Sequence, residues 1–562
     1  MPPAPAPRES ASVGAVPPRP ASPGAASPST GDVGYAQLWA ADPARWAAAG
    51  AAWCGLTGPL RSRADDLGTR ATTLRPGWSG GAAVAARERL AGLRADLTDV
   101  LPALVEADQV LAEFAARLGA AKARLAAAVT LADAGGLLVD RTGAVHPDPA
   151  RPRPTGRAGP AVVQVAAAVR EALALAGAAD REAAGRLAAL STAAVTGWVS
   201  VPPAWRPPAG AGAAEVGRWW AGLTSAERRW LVRHEPARVG RLDGVPVAAR
   251  DQANRLLLAD RRNALVALRS RLLRPLPPGP LELARRVRLA GVEGALRGLD
   301  GLTERLTGAQ RPRAYLVGLE PAGDGRAIVA LGNPDRAGAV LTYVPGMGSS
   351  LADAPGELGR AARVRDRCAA LAPTEETAAV LWLDYDAPDF LHEAVRDAQA
   401  RDAGPALHRF QEGLRASHDG PPARQTVLGH SYGSLVVGAA ARGHGLSADA
   451  LVFVGSPGVG VAHAGELGVP AGQVWASRAP DDVIRLTRPP DELARRALLA
   501  GTPLGPAAAL LDRAGHELWF GPDPSDPSFG GRRFPSGRYG HTGYWDPANP
   551  ALDGMARIVL GR

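Results

Sequence analysis

Large apolar residues recur at sevens from the first tryptophan onward, at Trp39, Trp46, Trp53, Leu60, Leu67 and Leu74. Beyond Arg75-Pro76-Gly77-Trp78-Ser79-Gly80 a second series runs Leu90, Leu97, Leu104, Leu111, Leu118 and Leu125, with Leu93, Val100, Ala107, Phe114 and Ala121 at companion positions. A seven-residue apolar period is a helical seam. Two such seams flanking a Pro/Gly turn predict an antiparallel helical hairpin over 33–135, with the seams facing one another. Pro59 interrupts the first arm and is expected to kink it.

Residues 136–160, rich in Pro, Arg and Gly, read as a linker. Helical patterning returns over 161–309. Thr224-Ser225-Ala226-Glu227 has capping-box spacing before Trp230 and Leu231, and Pro246 opens a helix-favouring segment, Val247 to Leu273. Trp219-Trp220 and the Leu242-Asp243-Gly244-Val245-Pro246 turn with Arg250, Asp251 and Asn254 are assigned to packing and to hydrogen bonds at helix ends, where backbone groups lack partners.

After Gln310 the period changes to short β-type runs: Tyr315–Val317, Ala327–Ala330, Val340–Val344, Val380–Leu383, Gln425–Leu428, Leu451–Val454 and Val474–Ala476. Gly323-Asp324-Gly325 joins the first two as a hairpin. The later runs alternate with helix-length segments 351–371, 390–418 and 433–443, which predicts parallel pairing through crossover helices. The fold expected for 310–562 is therefore α/β, a mostly parallel sheet flanked by helices, preceded by an all-α hairpin and bundle region.

Charge and composition narrow the partners. The chain of 562 residues carries a net +9, divided as +12 before Gln310 and −3 from it onward. Lys122 is the only lysine, and the arginines are scattered along helices opposite acidic residues, without the aromatic-interleaved basic stripe that nucleic-acid binding requires. No nucleic-acid partner is expected. Cys54 and Cys368 lie in different halves with no Cys/His cluster, which argues against a disulfide framework and structural zinc. Residues 1–32 form a Pro/Ala-rich tail without the basic start and apolar core of a Sec signal peptide, and are expected to be disordered. The uncharged stretch Gln425 to Ala441 is too short and too polar for a membrane span, so a cytoplasmic chain with no transmembrane segment is expected.

The fifth β-run leads into Gly429-His430-Ser431-Tyr432-Gly433, a G-x-S-x-G between strand and helix. A nucleophilic serine must protrude from a tight turn whose backbone comes so close to its neighbours that glycine is needed two residues before and after. Such a turn predicts an acid and then a histidine later in the chain. The strand at Val474 runs into Ala479-Pro480-Asp481-Asp482, and Asp482 is taken as the acid, with Asp481 the alternative. Two histidines follow. His516 precedes Leu518-Trp519-Phe520, read as a strand, and would lie at the wrong sheet edge, whereas His541 follows that run in a loop before the last helix and suits a general base. His430 is read as a packing or hydrogen-bonding residue. Val344-Pro345-Gly346-Met347-Gly348-Ser349 follows an earlier strand, and the backbone N–H groups of Met347 and Tyr432 are the expected oxyanion donors. No metal or cofactor is called for.

On these residues 310–562 resembles the α/β-hydrolase superfamily. Within it the V-P-G loop, G-H-S-Y-G-S elbow, A-P-x-D turn and late H-x-x-Y resemble a branch found in high-GC Gram-positive bacteria and catalogued as a domain of unknown function. The resemblance implies a serine hydrolase with Ser431 as nucleophile, Asp482 as acid and His541 as base; it brings no substrate with it, and a small-molecule or lipid-like ester is expected from the chemistry of such a triad. Residues 33–131, with Trp78-Ser79-Gly80 in the turn, resemble the WXG-type hairpins handled by type VII secretion, which implies a protein partner for the hairpin. That family's Y-x-x-x-D/E export signal is missing after the second helix. A secretion-related adaptor, or a toxin-like effector with a helical delivery module, is the alternative function.

Overall fold

The computed structural model describes residues 33–73, 80–149, 159–196, 201–308, 310–388, 391–394, 396–486 and 517–562. Residues 1–32, the turn residues Trp78 and Ser79, and His516 lie outside the described residues.

The front of the chain is built on one helix of 54 residues, α4 (Gly81–Ala134), against which α1 (Tyr35–Ala40), α2 (Pro43–Gly55) and α3 (Thr57–Thr73) return antiparallel. The seams meet less closely than expected, with Trp46 set edge-on to Phe114. The leucines of the second series from Leu104 to Leu125 are buried, but Trp39, Trp46 and Trp53 are 50%, 44% and 47% exposed, and the first arm instead turns Leu38, Ala47, Gly50 and Cys54 inward. A Cβ on Gly50 would lie 2.9 Å from the Asp108 carbonyl oxygen. So close an approach needs small residues, and a row of indoles would hold the helices apart. Nor does Pro59 kink a helix: it lies in the first turn of α3, where an absent N–H leaves no bond unmade.

Part of the expected linker is ordered. Strands β1 (Leu137–Val139) and β2 (Val145–Pro147) pair as a small hairpin whose Asp140 carboxylate accepts from Thr142 and Ala144 N–H. Helix α5 (Gly159–Thr196) then lays Val165, Val169, Ala172, Ala176 and Ala179, a seam at steps of four and three, into the same core as the α4 leucines. Its stretch Gly159–Ala193 is long and apolar enough to cross a membrane by length and composition, although charged residues interrupt it.

Helices α6 (Ala213–Gly222), α7 (Ser225–His234) and α8 (Pro236–Val239) form a small cluster, with the Thr224/Glu227 capping box in place. Helices α9 (Val247–Leu272) and α10 (Pro280–Thr307) bury Val247, Leu265, Val292, Leu299 and Leu306 in the same core as the sheet. That core therefore begins well before residue 310, where the change of period places the boundary.

The sheet has eight strands: β3 (Ala314–Glu320), β4 (Arg326–Leu331), β5 (Ala339–Val344), β6 (Thr377–Leu383), β7 (Arg424–His430), β8 (Ala450–Val454), β9 (Val474–Ser477) and β12 (Arg532–Arg533), in the order β12-β9-β8-β7-β5-β6-β4-β3. Strands β3 and β4 enter antiparallel, and every pair from β6 to β12 is parallel. The crossovers are α11 (Ala354–Leu371), α12 (Leu391–Ala394) with α13 (Ala398–Ser417), and α14 (Tyr432–His444), and α15 (Pro550–Val559) closes the chain. All seven expected strands are present. Leu518-Trp519-Phe520 is not a strand of this sheet: Leu518 ends β10 (Glu517–Leu518), and Trp519-Phe520 turn into β11 (Gly521–Pro522), a two-residue pair of its own.

A buried polar clasp joins α9 to the edge strand β3. Asp251 accepts from Arg255 Nε at 2.7 Å and Leu316 N–H at 2.7 Å, and Arg313 bridges it to Asp108 of α4. Arg250 donates to the Val317 carbonyl, Asn254 to that of Leu316 and Arg255 to that of Ala314.

Candidate active site

Chain order fixes where a site can form. Strand β5 is flanked by β6 on one side and β7 on the other, so successive crossovers leave it in opposite directions and open a crevice at the C-terminal ends of β5 and β7. Ser431 follows β7 at that point, and Pro345-Gly346-Met347 follows β5.

Ser431 has φ 52° and ψ −127° and is the only non-glycine with positive φ among the described residues. Two glycines make this turn possible. A Cβ on Gly429 would meet Ser434 Cα at 2.6 Å, and one on Gly433 would meet the Val344 carbonyl oxygen at 2.3 Å. The Ser431 N–H donates to the Val454 carbonyl at 3.1 Å, which fixes the turn to β8. Gly346 lies directly against the serine: a Cβ there would fall 2.7 Å from Ser431 Cβ and 3.3 Å from its Oγ. Helix α14 starts at Tyr432, so its positive end points at the serine. The Gly348 N–H is taken by the Pro388 carbonyl at 2.8 Å, whereas among the described residues the Met347 and Tyr432 N–H groups make no hydrogen bond.

The structure brings Asp482 and His541 together. His541 Nδ1 donates to Asp482 Oδ1 at 2.8 Å, which leaves Nε2 as the basic nitrogen. Both lie above Gly455 at the end of β8, where a Cβ would fall 3.0 Å from Asp482 Oδ2 and 3.1 Å from the His541 ring. Asp482 is fully buried and holds two further donors in reach: Ile484 N–H bonds Oδ1 at 2.8 Å, and the Tyr544 hydroxyl bonds Oδ2 at 2.6 Å. Burial pushes the Asp482 carboxyl up, but the bonds from His541, Tyr544 and Ile484 outweigh it and hold the group below the ordinary carboxylate range. Asp481 is exposed and accepts from Gly540 N–H at 3.1 Å, at the root of the histidine loop. Ser431 Oγ makes no hydrogen bond among the described residues.

His430 packs edge-on to Trp545, and its Nε2 donates to the His541 carbonyl at 2.9 Å. Burial, with His541 beside it, pushes its pKa down to about 3, so it is neutral at any ordinary pH. Tyr544 is the site residue that motif reading left without a role; its signal was the tyrosine three positions after the base. A cavity of about 990 Å³ lies elsewhere, at the opposite, N-terminal ends of β5 and β7, lined by Glu106, Arg186, Arg228 and Asp335. Among the described residues no group of His, Cys, Asp and Glu is placed to hold a metal ion.

The alpha/beta hydrolase family profile matches residues 320–492. The uncharacterized protein Rv2079 of Mycobacterium tuberculosis is 34% identical over 382 residues, which is 63% of this chain and 56% of the relative. The uncharacterized protein Mb0988c of Mycobacterium bovis is 32% identical over 233 residues, 38% of this chain and 87% of the relative. The chain thus spans little more than half the length of the first of these relatives and nearly all of the second. With sheet order, elbow and profile in agreement, this chain belongs to the alpha/beta hydrolase family.

Proposed function

We propose that the chain is a serine hydrolase acting on carboxylic esters through an acyl-enzyme. The observation that carries this is Ser431 held at positive φ between strand and helix and bonded to the end of β8, over which the hydrogen-bonded Asp482–His541 pair lies. Backbone strain of this kind persists only where the surroundings impose it, and it keeps the hydroxyl clear of the helix that follows.

In this scheme His541 Nε2 removes the proton from Ser431 Oγ as the oxygen attacks the ester carbonyl carbon. Negative charge moves to the carbonyl oxygen, where the free N–H groups of Met347 and Tyr432 and the positive end of α14 are available to it. The tetrahedral intermediate collapses, the bond to the leaving alkoxide breaks, and His541 returns the proton to it. Water then repeats the sequence on the acyl-enzyme and releases the carboxylic acid. Asp482 keeps the imidazole proton on Nδ1 and stabilises the imidazolium that forms at each transfer. No cofactor enters this scheme.

The test is turnover of p-nitrophenyl acetate and butyrate by wild type and Ser431→Ala, with labelling of Ser431 by a fluorophosphonate probe. Turnover and labelling are expected in wild type alone. Equal rates in the two proteins, or an unlabelled Ser431, refute the proposal.

A further inference from the structure

The histidine loop carries a second hydroxyl whose placement packing does not require. Tyr544 is fully buried, and its oxygen makes two bonds at once: it accepts from Ala479 N–H at 2.9 Å and donates to Asp482 Oδ2 at 2.6 Å. Ala479 lies on the turn that carries the acid, and Tyr544 is three residues from His541. The hydroxyl therefore ties the acid's turn to the base's loop, on the carboxylate oxygen that His541 does not use. A phenylalanine would fill the same space, so the oxygen is there for its bonds.

We propose that Tyr544 is a positioning residue for reaction at Ser431: its hydroxyl fixes the plane of the Asp482 carboxylate and draws off part of its charge, and so sets how strongly Asp482 raises the basicity of His541. This rests on the Ser431–His541–Asp482 assignment above. Burial, and then the negative charge of Asp482, push the Tyr544 hydroxyl well above the ordinary phenol range, so it remains a donor wherever Asp482 is ionised. The other titratable or charged groups facing the cluster are His430, with its ring 4.9 Å from that of His541, Asp481 at the loop root, and Arg478 and Arg360, which act on Tyr544 and His430 through space. Of all these, only Tyr544 bonds the acid's second oxygen.

The experiment uses the full chain, as wild type, as Tyr544→Phe and with 3-fluorotyrosine in place of Tyr544. It reads kcat and KM on p-nitrophenyl butyrate, and the rate of fluorophosphonate labelling of Ser431, across pH 5 to 9. With the hydroxyl gone, full charge returns to Asp482 and His541 holds its proton more tightly. The acid limb then moves to higher pH by up to about one unit, and kcat falls about tenfold to a hundredfold with KM nearly unchanged. The more acidic fluorotyrosine hydroxyl donates more strongly and should move the limb the other way, an outcome that survives if Tyr544→Phe does not fold. Limbs that coincide in all folded proteins, even with a lowered melting temperature, overturn the proposal. An unlabelled wild-type Ser431 overturns the hydrolase assignment itself, whereas a labelled wild type with unmoved variants overturns only the role of Tyr544.

Discussion

Ser431 pays for its position in backbone conformation, and that cost can be measured apart from catalysis. At φ 52° and ψ −127° a residue with a Cβ lies in a sparsely populated region, which costs about 1–3 kcal/mol. Glycine adopts positive φ freely but carries about 0.4–1 kcal/mol of additional unfolded-chain entropy. Ser431→Gly should therefore stabilise the protein by about 1 kcal/mol, whereas Ser431→Ala keeps the Cβ and the strain and should leave stability nearly unchanged. Both variants lose the nucleophile, so their difference isolates the backbone. In a domain of some 250 residues that difference is a rise in melting temperature of about 2–4 °C. The assay is calorimetry with urea unfolding on both variants and wild type. If Ser431→Gly proves equal to or less stable than Ser431→Ala, as expected for glycine at an ordinary helix start, the elbow is not strained and the reasoning fails.

Asp251→Ala would leave Arg255 and Arg313 buried without their shared carboxylate and should destabilise the fold by about 3–5 kcal/mol, read as a shift of the urea midpoint. His430, at about 3 in the folded chain against about 6.5 unfolded, takes up its proton only on unfolding between those values. Stability should thus fall as pH drops through that window, by at most about 1.4 kcal/mol per unit, and His430→Gln should flatten the slope of midpoint against pH by up to one proton. Asp482→Asn should lower kcat about a thousandfold or more by favouring the wrong imidazole tautomer, while the exposed Asp481→Asn should stay within about threefold of wild type; p-nitrophenyl butyrate kinetics that reverse this order would make Asp481 the acid.

The β-half was legible because each of its signals is local. Seven apolar runs at strand length appear as seven strands, and the positions that needed glycine around Ser431 carry it. The pairing of Asp482 with His541 followed from chain order, although 58 residues lie between them. The front half is harder to read for a different reason. A heptad marks a face without saying what covers it, and large indoles look like core at any spacing, yet Ala47 and Gly50 take the inward place that the spacing of Trp39, Trp46 and Trp53 suggests. The partner stripe on α5 was hidden because its alanines carry little apolar contrast. The role of Tyr544 is not legible from H-x-x-Y because a tyrosine reveals its purpose only when the oxygen it bonds is known, and that oxygen belongs to a turn 62 residues earlier.

The clasp on β3 has a consequence for association between chains. An exposed outer strand offers unpaired carbonyl and N–H groups onto which another chain's strand can add. Here the carbonyls of Ala314, Leu316 and Val317 and the N–H of Leu316 are met by Arg255, Asn254, Arg250 and Asp251, side chains arranged along one helix at the places where a ninth strand's backbone would bond. Helix α9 thus impersonates a neighbouring strand. It ends the sheet by saturating it, so growth through that margin would first require the helix to peel away.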